Sequence, residues 1–317
     1  MFKRLQKQIS KQFQSSVLTI GNNDVLSSRN IRQDVWNKFR RNPQAILGTI
    51  MLVIIILSVI FIPLIYTSPI NKIDFTKATL PPNWEHPFGT NDLGQDILAR
   101  ILYGGRISIA VGIFSMLVAI SVGTFIGAIS GFYGGWIDIV LMRFTDLCLA
   151  LPRLPLLLLI IFLFRDSLKA FAGAELGIFI LIVVLIGGLN WMSVARLVRA
   201  GFLTVRETEF VAAARTLGAS PSRLILIHIL PNVMSPVIVA GTLSVSAAII
   251  TESTLSFLGL GFPPDIPTWG RMLYDAQNFL EIAPHMVIFP GAAIFLTVLS
   301  INYIGDGLRD ALDPRLL

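Results

Sequence analysis

Apolar residues run in six long stretches, at about residues 44–66, 106–131, 139–164, 175–195, 233–257 and 285–304. A helix needs about 20 such residues to cross a hydrocarbon layer about 30 Å thick. The pattern therefore predicts an all-α polytopic membrane protein with six transmembrane helices. It divides the chain into a polar tail (1–43), a first span (44–66), a loop (67–104), a core (105–308) with a long polar loop at 196–231, and a short tail (309–317).

Between the spans the pattern changes period. Ile31, Val35, Trp36 and Phe39 recur at helical spacing among Arg32, Lys38, Arg40 and Arg41. This predicts an amphipathic helix able to lie in a headgroup layer, with a solvated basic tail as the plain alternative. Pro43 predicts a break before the crossing. About 43 polar residues ahead of a long apolar run do not describe a cleaved leader, so the first span is expected to remain as an anchor. In the first loop, Asn91 or Asp92 is the expected cap of a short helix with Leu93, Ile97, Leu98, Ile101 and Leu102 on one side.

Composition agrees. Of 317 residues 54% are hydrophobic and 14% charged, with mean hydropathy +0.73, whereas soluble chains have about a quarter charged. A single cysteine, Cys148, excludes an intrachain disulfide and a cysteine metal cluster, and is read as packing. The net charge of +6 reads as basic cytoplasmic loops rather than nucleic-acid binding. Nine Lys and Arg precede the first span, against three between 67 and 104 (Lys72, Lys77, Arg100), so the amino terminus is expected in the cytoplasm. Six crossings return the carboxyl terminus to that side. They also place 196–231, with Arg196, Arg199, Arg206, Arg215 and Arg223, in the cytoplasm.

Gly123, Gly127 and Gly131 are spaced four apart and leave one helix face open to close approach, the mark of helix packing. Pro152, Arg153 and Pro155 at the third span, and Pro290-Gly291 in the sixth, can kink helices, which permits bending and is equally common in static bundles.

The segment 196–231 carries the most punctuation. Glu207 to Leu217 has helix formers throughout, an acidic start and the small residues Ala212, Ala213 and Ala214. Gly218 can take the left-handed conformation that ends the helix, Pro221 blocks its continuation, and Pro231 is expected to begin the next span. The result is a short stiff peg between two spans, able to pass a push from a soluble partner into the bundle.

This segment resembles the Glu-Ala-Ala loop of ABC-importer permeases. Ala212-Ala213-Ala214, Gly218 and Leu230-Pro231 fall on that pattern's spacing; Ala212 stands where the family has glutamate, with Glu209 one turn earlier, and His228 stands at an isoleucine position. From about Pro43 to Arg315 further motifs are similar to the C-type permease subunit of dipeptide, oligopeptide or nickel importers. They are His86-Pro-Phe-Gly-Thr-Asn-Asp-Leu-Gly-Gln-Asp96, Tyr103-Gly-Gly-Arg106, Gly134-Gly-Trp-Ile-Asp138 with Met142, Arg143 and Asp146, Leu255-Ser-Phe-Leu-Gly-Leu-Gly261, Gly305-Asp-Gly-Leu-Arg309 and Asp313-Pro-Arg315. The resemblance implies a type I importer fold in a bacterial or archaeal cytoplasmic membrane and a second homologous permease. It also implies two ATPase subunits binding ATP and Mg, and an extracytoplasmic substrate-binding protein. Glu209, Ala212, Ala213, Ala214, Arg215, Leu217 and Gly218 would form the ATPase-coupling helix. Cargo is expected to be di- or oligopeptides, with nickel or another small solute as the alternative.

No glycine is followed by lysine, so the phosphate-cradling loop of an ATPase is absent from this chain, and no cofactor is expected in it. His86, His228 and His285 lack ligand spacing, which argues against a metal site. Glu252 either faces a polar path or snorkels locally, and Arg153 either shares that ambiguity or anchors the inner interface. The loop 259–284, with Phe262, Trp269 and Tyr274, is either a gate or docking surface or a packed aromatic loop. Rival readings are an ion-coupled secondary transporter, which needs buried ionisable residues and inverted repeats, and a membrane scaffold without transport.

Overall fold

The computed structural model describes residues 31–312, so Asp313-Pro-Arg315 and the first 30 residues lie outside it. Helix α1 (Ile31–Arg41) ends at Asn42, whose Oδ1 accepts the amides of Gln44 (3.0 Å) and Ala45 (3.2 Å) and so caps α2 (Pro43–Ile65). Pro43 occupies the first position of α2, where its missing N–H costs nothing. Phe39 of α1 is buried against Ala45 and Ala311, while Trp36 stays half exposed under Arg40.

Helix α3 (Ile97–Tyr133) is longer than the predicted span. The separate short helix expected before it does not exist: Ile97, Leu98, Ile101 and Leu102 are its first two turns. The cap is Asp96, whose Oδ1 accepts the amide of Ala99 at 2.7 Å, whereas Asn91 closes a turn onto Leu93 and Gln95. Nothing after Ile97 breaks the helix, because Gly104 and Gly105 stay helical and let the Pro267 carbonyl and the Trp269 ring approach.

The predicted third span, 139–164, is corrected to two helices, α4 (Gly135–Ala150) and α5 (Arg153–Ala172), bent by 85° at Leu151–Pro152. A proline pushes the residue before it out of the α region, and Leu151 is extended at ψ 136°. Helix α6 (Ala174–Arg206) runs a further 11 residues into the stretch expected to be loop. It is followed by α7 (Glu209–Thr216). Pro221, not Pro231, then opens the next helical stretch as the first residue of a turn capped by Ser220. A π-helical turn, Leu224–Ile229, leads into α8 (Leu230–Phe257). Pro231 offers no N–H and its ring would crowd a carbonyl one turn back, so the wide turn in front of it relieves both. Helices α9 (Trp269–Ala276) and α10 (His285–Leu312) complete the fold, with Pro290 inside α10.

Among the described residues five helices are long and apolar enough to cross a membrane, and six spans result if the bent α4–α5 pair is one. No strand occurs among them, only an isolated bridge between Thr90 and Asp96. Helices α3 and α6 form the central pair. A Cβ on Gly123 would meet Val194 Cβ at 2.6 Å, one on Gly127 would strike the Ala195 carbonyl, and one on Gly131 would meet Phe202 Cβ at 2.5 Å. Loops 66–96 and 258–284 gather at one end, where Asn71 Nδ2 donates to the Asp265 carbonyl at 3.0 Å. The peg α7 lies at the other.

Candidate functional site

Helix α7 is held from below and bare above. Val211 is fully buried in a cluster with Phe202, Leu224, Ile229 and Val233, and Ala214 and Ala219 pack against the same cluster. Gly218, at φ +82°, closes the helix: its amide donates to the Arg215 carbonyl (3.0 Å) and the Ala219 amide to the Ala214 carbonyl (3.1 Å). These two bonds make a Schellman motif, which satisfies carbonyls a helix end otherwise leaves orphaned. On the opposite side Phe210 (47% exposed), Ala213 and Leu217 (88%) follow one another at helical spacing as an apolar stripe. Glu209, Ala212 and Arg215 are exposed beside it.

Three arginines of α6, the helix that leads into the peg, tie it to α3 and α4. Arg206 Nη1 donates to the carbonyls of Gly131 (3.2 Å) and Phe132 (3.0 Å), satisfying the end of α3. Arg199 holds Asp138 of α4 in a two-pronged pair, Nε to Oδ1 at 2.5 Å and Nη2 to Oδ2 at 2.6 Å, and Ser130 of α3 also donates to Asp138. Arg196 pairs with Asp146 at 2.5 Å. These bonds join the α6 end that leads into α7 to α3 and α4. The charge count found these arginines, but their partners on α4 needed the fold.

At the loop end the candidate path residues are enclosed. Glu252 is fully buried; its carboxylate accepts from Ser256 Oγ (2.7 Å) and Ser108 Oγ (3.3 Å), stitching α8 to α3. It neither snorkels nor lines an open path in this conformation. Trp269 is 1% exposed, with Nε1 donating to the Ile101 carbonyl at 3.0 Å. Of the two readings of the 259–284 loop, Trp269 and Phe262, both buried, fit the packed aromatic one in this conformation. Tyr66, just past α2, donates to Asp96 Oδ2 at 2.6 Å, and His86 Nδ1 lies 2.7 Å from the same oxygen. Burial first, then that carboxylate, push the Tyr66 phenol well above its ordinary value. His285 Nε2 sits 3.2 Å from the Thr90 carbonyl. Among the described residues no three His, Cys, Asp or Glu gather as metal ligands.

A bundle of apolar helices long enough to cross a bilayer, with one short exposed helix between two of them, defines a multi-pass membrane protein. Comparison with known proteins makes the assignment specific. Residues 123–317 match the family described as the inner membrane component of binding-protein-dependent transport systems, and residues 31–82 match the N-terminal transmembrane domain of oligopeptide transport permease C. The chain belongs to this family of permeases. It is 41% identical to the dipeptide transport system permease protein DppC of Alkalihalophilus pseudofirmus over 90% of each chain. It is 38% identical to the oligopeptide transport system permease protein OppC of Bacillus subtilis, over 96% of this chain and 97% of that one. With the glutathione transport system permease protein GsiD of Pectobacterium atrosepticum it shares 36% identity, over 92% and 95% respectively.

Proposed function

We propose that this chain is one permease subunit of an ATP-driven ABC importer of di- or oligopeptides. It works with a second homologous permease, two ATPases that bind ATP and Mg, and an extracytoplasmic substrate-binding protein. The relatives named for dipeptide, oligopeptide and glutathione transport favour peptides over nickel as cargo. The observation that carries the coupling role is the peg: an exposed apolar stripe of Phe210, Ala213 and Leu217 on a helix closed by Gly218 and following α6, which is itself clamped to α3 and α4. A groove in an ATPase would cover the stripe, with Glu209, Ala212 and Arg215 setting its register and Ala214 seating the helix on the bundle. Nucleotide-driven motion of that groove would then tilt α6 against its neighbours.

The basic residues near the peg orient it toward the cytoplasm, and both termini with it. Gly123, Gly127 and Gly131 act as the tight seam that lets α3 and α6 move as one body. Glu252 and Trp269 would serve a gate only where the loop end opens and uncovers them. The test is reconstitution of the full complex in liposomes. Peptide uptake should require ATP, the ATPases and the binding protein, and should survive collapse of the ion gradient. Uptake by the purified chain alone would overturn the reading.

A further inference from the structure

The bend at Leu151–Pro152 leaves a cavity of about 160 Å³ where α5 begins, walled by Arg153, Leu157, Ile186, Asn190, Thr251 and Thr254 among others. Its depth follows from α6. The uncharged stretch of that helix runs from residue 176 to 195, between Glu175 and Arg196, and Ile186 stands near its midpoint. About ten helical residues, roughly 15 Å of rise and half the thickness of a bilayer core, therefore separate Ile186 in the cavity wall from either end of that stretch, with Asn190 one turn nearer the Arg196 end. Arg153 is exposed there, and among the described residues it has no hydrogen bond and no ion pair. Asn190, half buried on α6, has no hydrogen-bond partner among them either. Thr251 and Thr254 donate their hydroxyls to the carbonyls of Ala247 (2.7 Å) and Ile250 (2.8 Å), so neither offers a hydrogen to the cavity they line. The acids nearest in sequence are committed elsewhere, Asp146 to Arg196 and Glu252 to two serines.

A bare guanidinium at mid-depth cannot face lipid; such residues face water, a partner or a substrate. The remaining walls are leucine and isoleucine, which strengthen whatever charged contact forms inside. Guanidinium and amide donors with no acceptor of their own select a carboxylate, and arginine offers its two-pronged grip. We propose that Arg153 and Asn190 form a station on the translocation path that binds a carboxylate of the peptide in transit. This deepens the peptide-importer reading and rests on it.

The experiment uses the assembled permease–ATPase complex in nanodiscs, without the binding protein, and labelled trialanine as free acid and as carboxyl-terminal amide. The free acid should bind the native complex about tenfold or more tightly than the amide. In Arg153→Gln the two should converge to within about twofold, while Arg153→Lys, which keeps the charge, should retain part of the preference. Asn190→Leu should weaken the acid more than the amide. Equal affinity of the native complex for acid and amide overturns the proposal, as does Arg153→Gln weakening both alike, the result expected if Arg153 pairs with the second permease. Absence of binding of either form also overturns it. The same complex reconstituted in liposomes with the binding protein tests the broader reading separately by ATP-dependent uptake: uptake without acid selectivity in the binding assay rejects the station alone, and no uptake rejects both.

Discussion

Gly127 occupies a position where any side chain would strike the Ala195 carbonyl, so its worth lies in what it lacks. Gly127→Val should destabilise the purified protein by about 1–3 kcal/mol through overpacking, seen as a lower melting temperature in detergent. Gly188, with open space where a Cβ would stand, should accept alanine with little change. The four-residue glycine spacing made this seam legible, though not its partner, because periodicity names a face and never the surface that meets it. Tyr66 illustrates the opposite case. Its neighbours Asp96 and His86 lie 30 and 20 positions away and meet it only through loop geometry. Its raised phenol pKa means that its hydrogen bond is fully present below the ordinary tyrosine range and is lost only as pH rises past that raised value. In an alkaline absorbance titration, the tyrosine missing from Tyr66→Phe should be one that ionises later than a free phenol. A titration curve unchanged at its alkaline end would reject this.

At the scale of elements, the peg was the most legible feature, because helix formers, a glycine stop and prolines are local chemistry. Its burial pattern was not: Val211 reads as one more small apolar residue, yet it is the anchor, and Phe210 belongs to the bare stripe. Two substitutions separate the roles. Leu217→Asp, on a side chain that touches almost nothing, should leave folding intact and weaken ATPase association about tenfold or more, measured by co-purification or surface binding. Val211→Ala should cost about 1–2 kcal/mol by leaving a gap under the peg, measured as thermal stability of the chain. The third span was the least legible element. Hydropathy cannot distinguish a straight crossing from two half-helices meeting at 85°, since both bury the same residues. The prolines marked the bend, and only the fold showed its angle and the cavity it opens.

For the whole molecule, six apolar stretches gave the class of architecture, while the extents of α3, α6 and the 221–257 stretch exceeded them because helices continue past the lipid into polar surroundings. Arginine pairs such as Arg199–Asp138 make that continuation stable. The orientation is testable on single-cysteine variants with Cys148 replaced by serine. A cysteine at fully exposed Trp84 should react with an impermeant thiol reagent added outside intact cells, and one at Leu217 only after the membrane is opened. The reverse pattern would invert the topology. The π-helical turn at Leu224–Ile229 has a further consequence at this scale. It stores one residue more than an α turn, and one residue of an α-helix corresponds to about 100° of rotation and 1.5 Å of advance. Tightening that single turn would therefore screw the exposed short helix around the axis of its neighbouring rod, re-aiming it by a quarter circle or more while both helices stay wound.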